Sequence, residues 1–361
     1  MDLKKQNILF IVRTMGIGGT ENVVLQLCEI FEKKVNKIIV CSSGGVHEEI
    51  LRKMGIKHFT IPDIASKNPA YMIKTYLKLK SIIKKEQITV IHSHHRMAAL
   101  YAELAAPKHV FKVANAHNTF YNKKKLTHFA YKNTKIIAVG EMVKKNIIDF
   151  FYIPVGQVCV INNAVKPFNE EIKEIECLKN EKAKGNVLIG NVGRLSEQKG
   201  MCYFIEAAQE VLKSHPKARF FLVGEGELKD QLYQQVALKG LQDKIIFLGY
   251  RSDVQNVVSQ LDFVVLSSLW EGLPLTPIEA FSVGKTVIGT NVDGTPEIIR
   301  DGVDGYLVEP RNIGQLAKKI NFLLENPEVR KKLEEQAAKR YRENFSFEKF
   351  SQKYVDFYKE L

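Results

Sequence analysis

Glu271 and Glu279 stand eight residues apart in the stretch SSLWEGLPLTPIEA, residues 267–280, on either side of a segment broken by Gly272, Pro274 and Pro277. The apolar run Phe263–Leu266 before it reads as a strand. Pro277 predicts the start of a helix, because the first helical turn has no use for the N–H that proline lacks. Glu279 is then expected in the first turn. A loop of this kind, running through Gly272, Leu273, Pro274, Leu275 and Thr276, aims backbone N–H groups between Leu273 and Thr276 at one point in front of a helix start, which suits a phosphate. A carboxylate on each side suits hydroxyl groups. A plainer reading has Glu279 complementing the helix dipole and Glu271 solvated; the spacing alone leaves both open.

Other clusters point to similar chemistry. Arg194 and Lys199, in the stretch GRLSEQKG of residues 193–200, offer a planar fork and a point charge five residues apart at a strand end, a donor set for a diphosphate or else a pair of solvated charges. Glu225 lies in GEGE, residues 224–227, and Tyr250 and Arg251 follow Gly249 where a flat base could lie against backbone and ring. Near the N-terminus, Gly18 and Gly19 belong to a glycine-rich turn opening a helix. A dinucleotide fingerprint would need glycine where Glu21 stands, so an NAD(P) reading loses its main support, and a structural tight turn is an equal alternative to a ligand loop. His92, His94 and His95 end one strand and His117 another, with only His215 lying in the second half. No Glu-x-x-His or cysteine partner is spaced to complete a metal site, and none is expected. His117 is placed to donate to a substrate oxygen. With no Asp-x-Asp to hold a metal-bound diphosphate, charge neutralisation falls to Arg194, Lys199 and helix dipoles.

The elements that must position these residues alternate between apolar, β-branched runs and longer segments of helical period, the mark of parallel sheets covered by helices. In the first half the expected strands are 7–12, 37–41, 88–92, 111–116, 135–139 and 158–161, with helices near 20–31, 70–86, 96–106 and 141–151. The second half restarts at 187–192 and continues with strands 219–223, 244–248, 263–266, 286–289 and 305–308, separated by helices near 200–213, 227–239, 252–260 and 277–283. The fold class is therefore α/β, with two doubly wound domains facing a cleft and ligands at the carboxyl ends of the strands. The expected boundaries are a first domain at 1–165, a charged linker at 166–185 and a second domain at 186–345. After Pro327 the chain is expected to be helical to its end. Phe347, Phe350, Tyr354, Tyr358 and Leu361 make one apolar stripe over 346–361 that can cross back to the first domain.

A chain of 361 residues suits two such domains. Five scattered cysteines without a CxxC pair argue against a disulfide framework. The apolar run at 7–12 ends at Arg13 without a small-residue cleavage site, and no segment approaches a bilayer span, so the cytosol is the expected compartment and any membrane contact peripheral. Charge is one-sided. Residues 1–165 carry 25 Lys/Arg against 11 Asp/Glu, and 166–361 carry 28 against 29. Such asymmetry suits an anionic membrane surface or nucleic acid, or simply solvated lysines.

Taken in order, GGTE at 18–21, His117, GRLSEQKG at 193–200, GEGE at 224–227 and EGLPLTPIE at 271–279 resemble the family 4 retaining glycosyltransferases of GT-B fold, over nearly the whole chain. Leu273 stands where many members carry phenylalanine. The resemblance implies two Rossmann-like domains, the first binding acceptor and the second a nucleotide-sugar. It implies Arg194 and Lys199 on the donor diphosphate, Glu279 on the ribose, Glu271 on a sugar hydroxyl, Gly18 and Gly19 approaching the diphosphate, and His117 at the sugar or the acceptor. The implied reaction is metal-independent sugar transfer with retention, from a UDP-sugar to a glycan or lipid-linked acceptor of polysaccharide or cell-envelope synthesis. No cofactor is implied, the nucleotide-sugar being a substrate, and nucleic acid is not an expected partner. The alternatives are a nucleotide-sugar epimerase of the same fold, which would want acid/base carboxylates that the first domain does not offer, and a non-catalytic sugar-nucleotide-binding partner.

Overall fold

The computed structural model describes all 361 residues. The chain divides into two compact units, one formed by residues 1–163 together with 348–361, the other by residues 164–347.

In the first unit seven strands form one parallel sheet: β1 Asn7–Ile11, β2 Lys37–Ser42, β3 Lys57–Thr60, β4 Val90–Ser93, β5 Phe111–Ala116, β6 Lys135–Ala138 and β7 Val158–Val160. Their order is β3-β2-β1-β4-β5-β6-β7, which reverses direction between β1 and β4. β1 is buried along its whole length, as a central strand covered on both faces must be. β3, the strand absent from the sequence reading, is an edge strand with no fully buried residue, so it lacks the apolar run that marks its neighbours. The closing helix Phe347–Glu360 buries Phe350, Tyr354, Val355 and Tyr358, and the Tyr358 ring lies 4.5 Å from that of Phe31.

The second unit repeats the plan with β8 Val187–Val192, β9 Ala218–Val223, β10 Ile245–Gly249, β11 Phe263–Leu266, β12 Val287–Thr290 and β13 Gly305–Val308, ordered β10-β9-β8-β11-β12-β13. Again the order reverses beside the first strand, between β8 and β11. Phe204, Phe220, Phe263 and Ile288 are fully buried in its core.

Three expectations change. Residues 166–185, expected as a linker, belong to the second unit: they include the helix Glu176–Ala183, and Lys173 N donates to Asn256 Oδ1 at 2.9 Å. After Pro327 the helical run breaks once: Pro327–Arg340 continues into a π-helical turn over Tyr341–Phe345, and Ser346 is extended before the last helix begins. The helix after β11 runs Leu275–Ser282, starting two residues before Pro277. The first four N–H groups of a helix have no partner in the helix, so proline is accommodated in its third position as well as its first.

Candidate active site

β8 and β11 are neighbours at the reversal of strand order, where open parallel sheets take ligands. β8 runs out into Gly193–Leu195 and a single 3-10 turn, Glu197–Lys199; β11 runs out into the loop that ends at Glu271. The two loops are stitched together. Leu269 N donates to Gln198 O at 2.8 Å, Gln198 Nε2 to Trp270 O at 3.0 Å, and Ser267 Oγ to Lys199 O at 3.1 Å. Gly200 has φ +55°, and a Cβ there would stand 2.3 Å from Ser267 O, so this approach requires glycine.

The stitching brings Lys199 onto Glu271, with Nζ 2.6 Å from Oε1, and Ser268 Oγ donates to the same oxygen at 2.6 Å. Glu271 N donates to Asp293 Oδ2 at 2.7 Å. Glu271 is only 5% exposed, which overturns the reading of a solvated carboxylate. Its Oε1 is taken by an ammonium and a hydroxyl, which leaves Oε2 as the acceptor for a further hydroxyl.

Glu279 is the fifth residue of its helix and so lies beyond the first turn where it was expected. Its carboxyl makes no hydrogen bond within the chain. Burial pushes its pKa up from 4.5 to about 7, against the opposing charge of Lys199. Of the expected loop donors, Pro274 has no N–H and caps the helix, so Leu275 and Thr276 present the open N–H groups of the helix start. Thr276 Oγ1 also donates to Val192 O at 3.2 Å, tying this helix to the end of β8.

Arg194 is exposed, and its guanidinium has no partner in the chain. The turn carrying it packs on residues 224–226: Leu195 N donates to Glu225 O at 3.0 Å, and a Cβ on Gly224, at φ +143°, would lie 1.9 Å from Gly193 O. Glu225 itself pairs with Lys229 at 2.8 Å. Tyr250 is exposed, whereas Arg251, expected beside a base, has its guanidinium turned onto Asp253 at 2.8 and 2.6 Å.

Gly18, Gly19 and His117 lie in the first unit. Gly18 is the extended N-cap of the helix Gly19–Phe31. The Glu21 carboxylate folds back over this start, accepting from Thr14 Oγ1 at 2.6 Å and standing where a Cβ on Gly18 would meet it at 2.4 Å. The chain itself thus supplies an anion to the helix terminus. His117, just past β5, is half-buried, with Nε2 3.2 Å from His94 Nδ1. Burial, helped by the nearby His95, lowers its pKa to about 4, so it is neutral at physiological pH. Beneath it His92 bonds Tyr358 OH and Asn115 Oδ1, each at 2.7 Å, and Asn115 Nδ2 donates to Tyr354 OH at 2.6 Å. No group of three or more His, Cys, Asp or Glu side chains is arranged to hold a metal ion.

The sequence reading missed Ser268 and Asp293, and named His94 only among the histidines weighed for a metal. Asp293 was detectable in part, as the Asp-Gly of a turn before Thr295-Pro296, but its bond to a residue of another loop is a tertiary fact.

The family described as Glycosyltransferase Family 4 matches residues 17–167, and that described as glycosyl transferases group 1 matches residues 172–340. An uncharacterised glycosyltransferase of Methanocaldococcus jannaschii is 31% identical over 294 residues, covering 78% of each chain. The UDP-Gal:alpha-D-GlcNAc-diphosphoundecaprenol alpha-1,3-galactosyltransferase of Escherichia coli is 28% identical over 322 residues, covering 82% of each. Among solved structures, Alr3699/HepE of Anabaena in complex with UDP superposes with a TM-score of 0.84 at 20% identity, over 99% of this chain and 100% of that one. The chain belongs to the family 4 glycosyltransferases, built on the GT-B fold, and is an enzyme of sugar transfer.

Proposed function

We propose that this glycosyltransferase moves a sugar from a UDP-sugar to a lipid-linked or glycan acceptor of the cell envelope, with retention at the anomeric carbon and without a metal. The observation that carries the reading is the pairing of Lys199 with Glu271 at the reversal of the second sheet, beside an unpaired Arg194 and an unpaired Glu279. Arg194 and Lys199 take the diphosphate together with the N–H groups of Leu275 and Thr276. Glu279 accepts from the ribose hydroxyls, and Oε2 of Glu271 from a hydroxyl of the sugar. His117, neutral, hydrogen-bonds the sugar or the incoming acceptor. For Gly18 and Gly19 to reach the diphosphate, Glu21 must swing away from the helix start. In the reaction the acceptor oxygen bonds the anomeric carbon as the bond to the leaving phosphate breaks on the same face. The acceptor's proton passes to that phosphate, and the two cations stabilise its charge.

The donor and acceptor classes are supported by the relative that uses UDP-Gal and a diphosphoundecaprenol-linked sugar. No helix is long and apolar enough to cross a membrane. Attachment to an anionic inner leaflet is supported by the first three turns of the helix Pro69–Lys85, which expose Tyr71, Ile73 and Leu77 among Lys74 and Lys78. Ile82 and Ile83, farther along the same helix, belong to the core. A second basic surface holds Lys123 and Lys125 beside exposed Tyr121 and Tyr152.

A thermal-shift panel of UDP-, GDP- and ADP-sugars tests the donor, and the anomeric configuration of the product, read by NMR with and without EDTA, tests retention and metal independence. Stabilisation by GDP- or ADP-sugars alone removes the UDP assignment, and an inverted product removes the same-face mechanism.

A further inference from the structure

His94 takes no part in the chemistry proposed above, yet its surroundings are specific. It follows β4, is 3% exposed, and is stacked on His92 with ring centroids 4.6 Å apart, with Phe10 at 5.9 Å. Its Nδ1 meets His117 Nε2 at 3.2 Å, while its own Nε2 is buried without a partner. His92 cannot relieve that nitrogen, since both of its own are engaged by Tyr358 and Asn115.

Burial lowers the pKa of both His94 and His117, so both rings are neutral and each carries one proton. One of the two facing nitrogens must donate and the other accept. Were His117 the donor, His94 would hold its proton on Nε2, burying an N–H with nothing to receive it, the costlier kind of orphan. With His94 as donor, Nε2 is a bare lone pair in an apolar, aromatic setting. His117 then accepts at Nε2 and carries its own proton on Nδ1, a nitrogen with no partner in the chain, on a half-buried ring that a ligand can reach.

We infer that His94 is a positioning residue that fixes His117 in its Nδ1–H tautomer, so that His117 meets a ligand oxygen as a hydrogen-bond donor and not as a base. The tautomer follows from the two rings alone; its use in transfer rests on the role proposed for His117.

Long-range proton–nitrogen NMR of the full chain labelled with 15N-histidine reads the tautomer directly, with His117 assigned by the signals lost in His117→Asn. The expected result is a neutral Nδ1–H pattern for His117 in the parent. His94→Phe keeps a stacked ring but cannot donate, and shifts His117 toward Nε2–H. His94→Asn places an amide N–H near the old Nδ1 and restores the parent pattern. In parallel, His94→Phe lowers kcat about tenfold, the worth of one ordinary hydrogen bond, leaves affinity for free UDP unchanged, and is rescued by His94→Asn. A parent His117 in the Nε2–H form, or a pattern indifferent to His94→Phe, overturns the inference. If the tautomer moves as described while transfer is unaffected by both His94→Phe and His117→Asn, the tautomer assignment stands and the catalytic role of His117 fails.

Discussion

Replacing Lys199 with alanine removes a cation from the proposed diphosphate site, but it also strips the counter-ion from a carboxylate that is 5% exposed. The Lys199 side chain is 17% exposed, and the two atoms lie 2.6 Å apart. Breaking a fully buried pair by deleting one partner costs about 3–5 kcal/mol, because the charge left behind is desolvated and uncompensated. Here Ser268 Oγ still donates to Glu271 Oε1, and the lysine is not fully buried, so about 2–4 kcal/mol is expected. Removing both charges is milder: Lys199→Ala with Glu271→Gln leaves no orphaned ion, and the double variant should recover much of that loss, giving a coupling of about 2 kcal/mol. The assay is a double-mutant cycle by urea denaturation, following the sole tryptophan, Trp270, which lies in the same loop. Turnover is measured alongside, because neither Lys199→Ala nor the double variant should transfer sugar if Lys199 serves the leaving phosphate. Lys199→Ala as stable as the parent, with no coupling to Glu271→Gln, would refute the argument that the pair is a buried unit.

Arg194→Ala should behave differently, lowering kcat/KM by about 2–4 kcal/mol in transition-state terms with no change in stability, since its guanidinium is exposed and unpaired; parent-like turnover at saturating donor removes it from the mechanism. Glu279 has a folded pKa near 7 against an ordinary 4.5, so the folded state holds the proton more tightly. Its contribution to stability is full below the unfolded pKa and is lost as pH rises through the folded one. Glu279→Gln should therefore match the parent near pH 4.5 and exceed it by about 1–3 kcal/mol near pH 8, while weakening UDP affinity in calorimetry; equal stability at both pH values contradicts the burial argument. Charge reversal of Lys74, Lys123 and Lys125 to glutamate should weaken binding to anionic vesicles by tenfold or more, at about 1 kcal/mol per basic residue. Lys124 is spared because it sits 3.7 Å over the Tyr152 ring. Equal sedimentation with neutral and anionic vesicles argues for a soluble acceptor.

The central strands were legible in the sequence because burial on both faces forces a continuous apolar run, as in β1 and β11. Edge strand β3 was not, because half-exposed residues carry no such pressure. Helix starts erred for a chemical reason. Proline marks the turn in which N–H groups are unbonded, and that turn is several residues long, so Pro277 located the helix Leu275–Ser282 only to within two residues. That small error matters at the site, since it takes Glu279 out of the first turn and away from the dipole's reach; burial then dominates and raises its pKa. Arg194, Lys199, Glu271 and Glu279 could be picked out as candidates from spacing and resemblance. Their states could not, because each depends on what another loop brings alongside: Lys199 reaches Glu271 only through the close approach at Gly200, and Glu21 occupies the helix start that Gly18 opens. A motif records which groups a ligand needs, whereas the charge each group carries before the ligand arrives is set by neighbours that the motif does not contain. For Glu271 that neighbour is an ammonium, for Arg194 it is water, and for Glu279 it is mostly protein, so three groups of one site should answer mutation in three different ways.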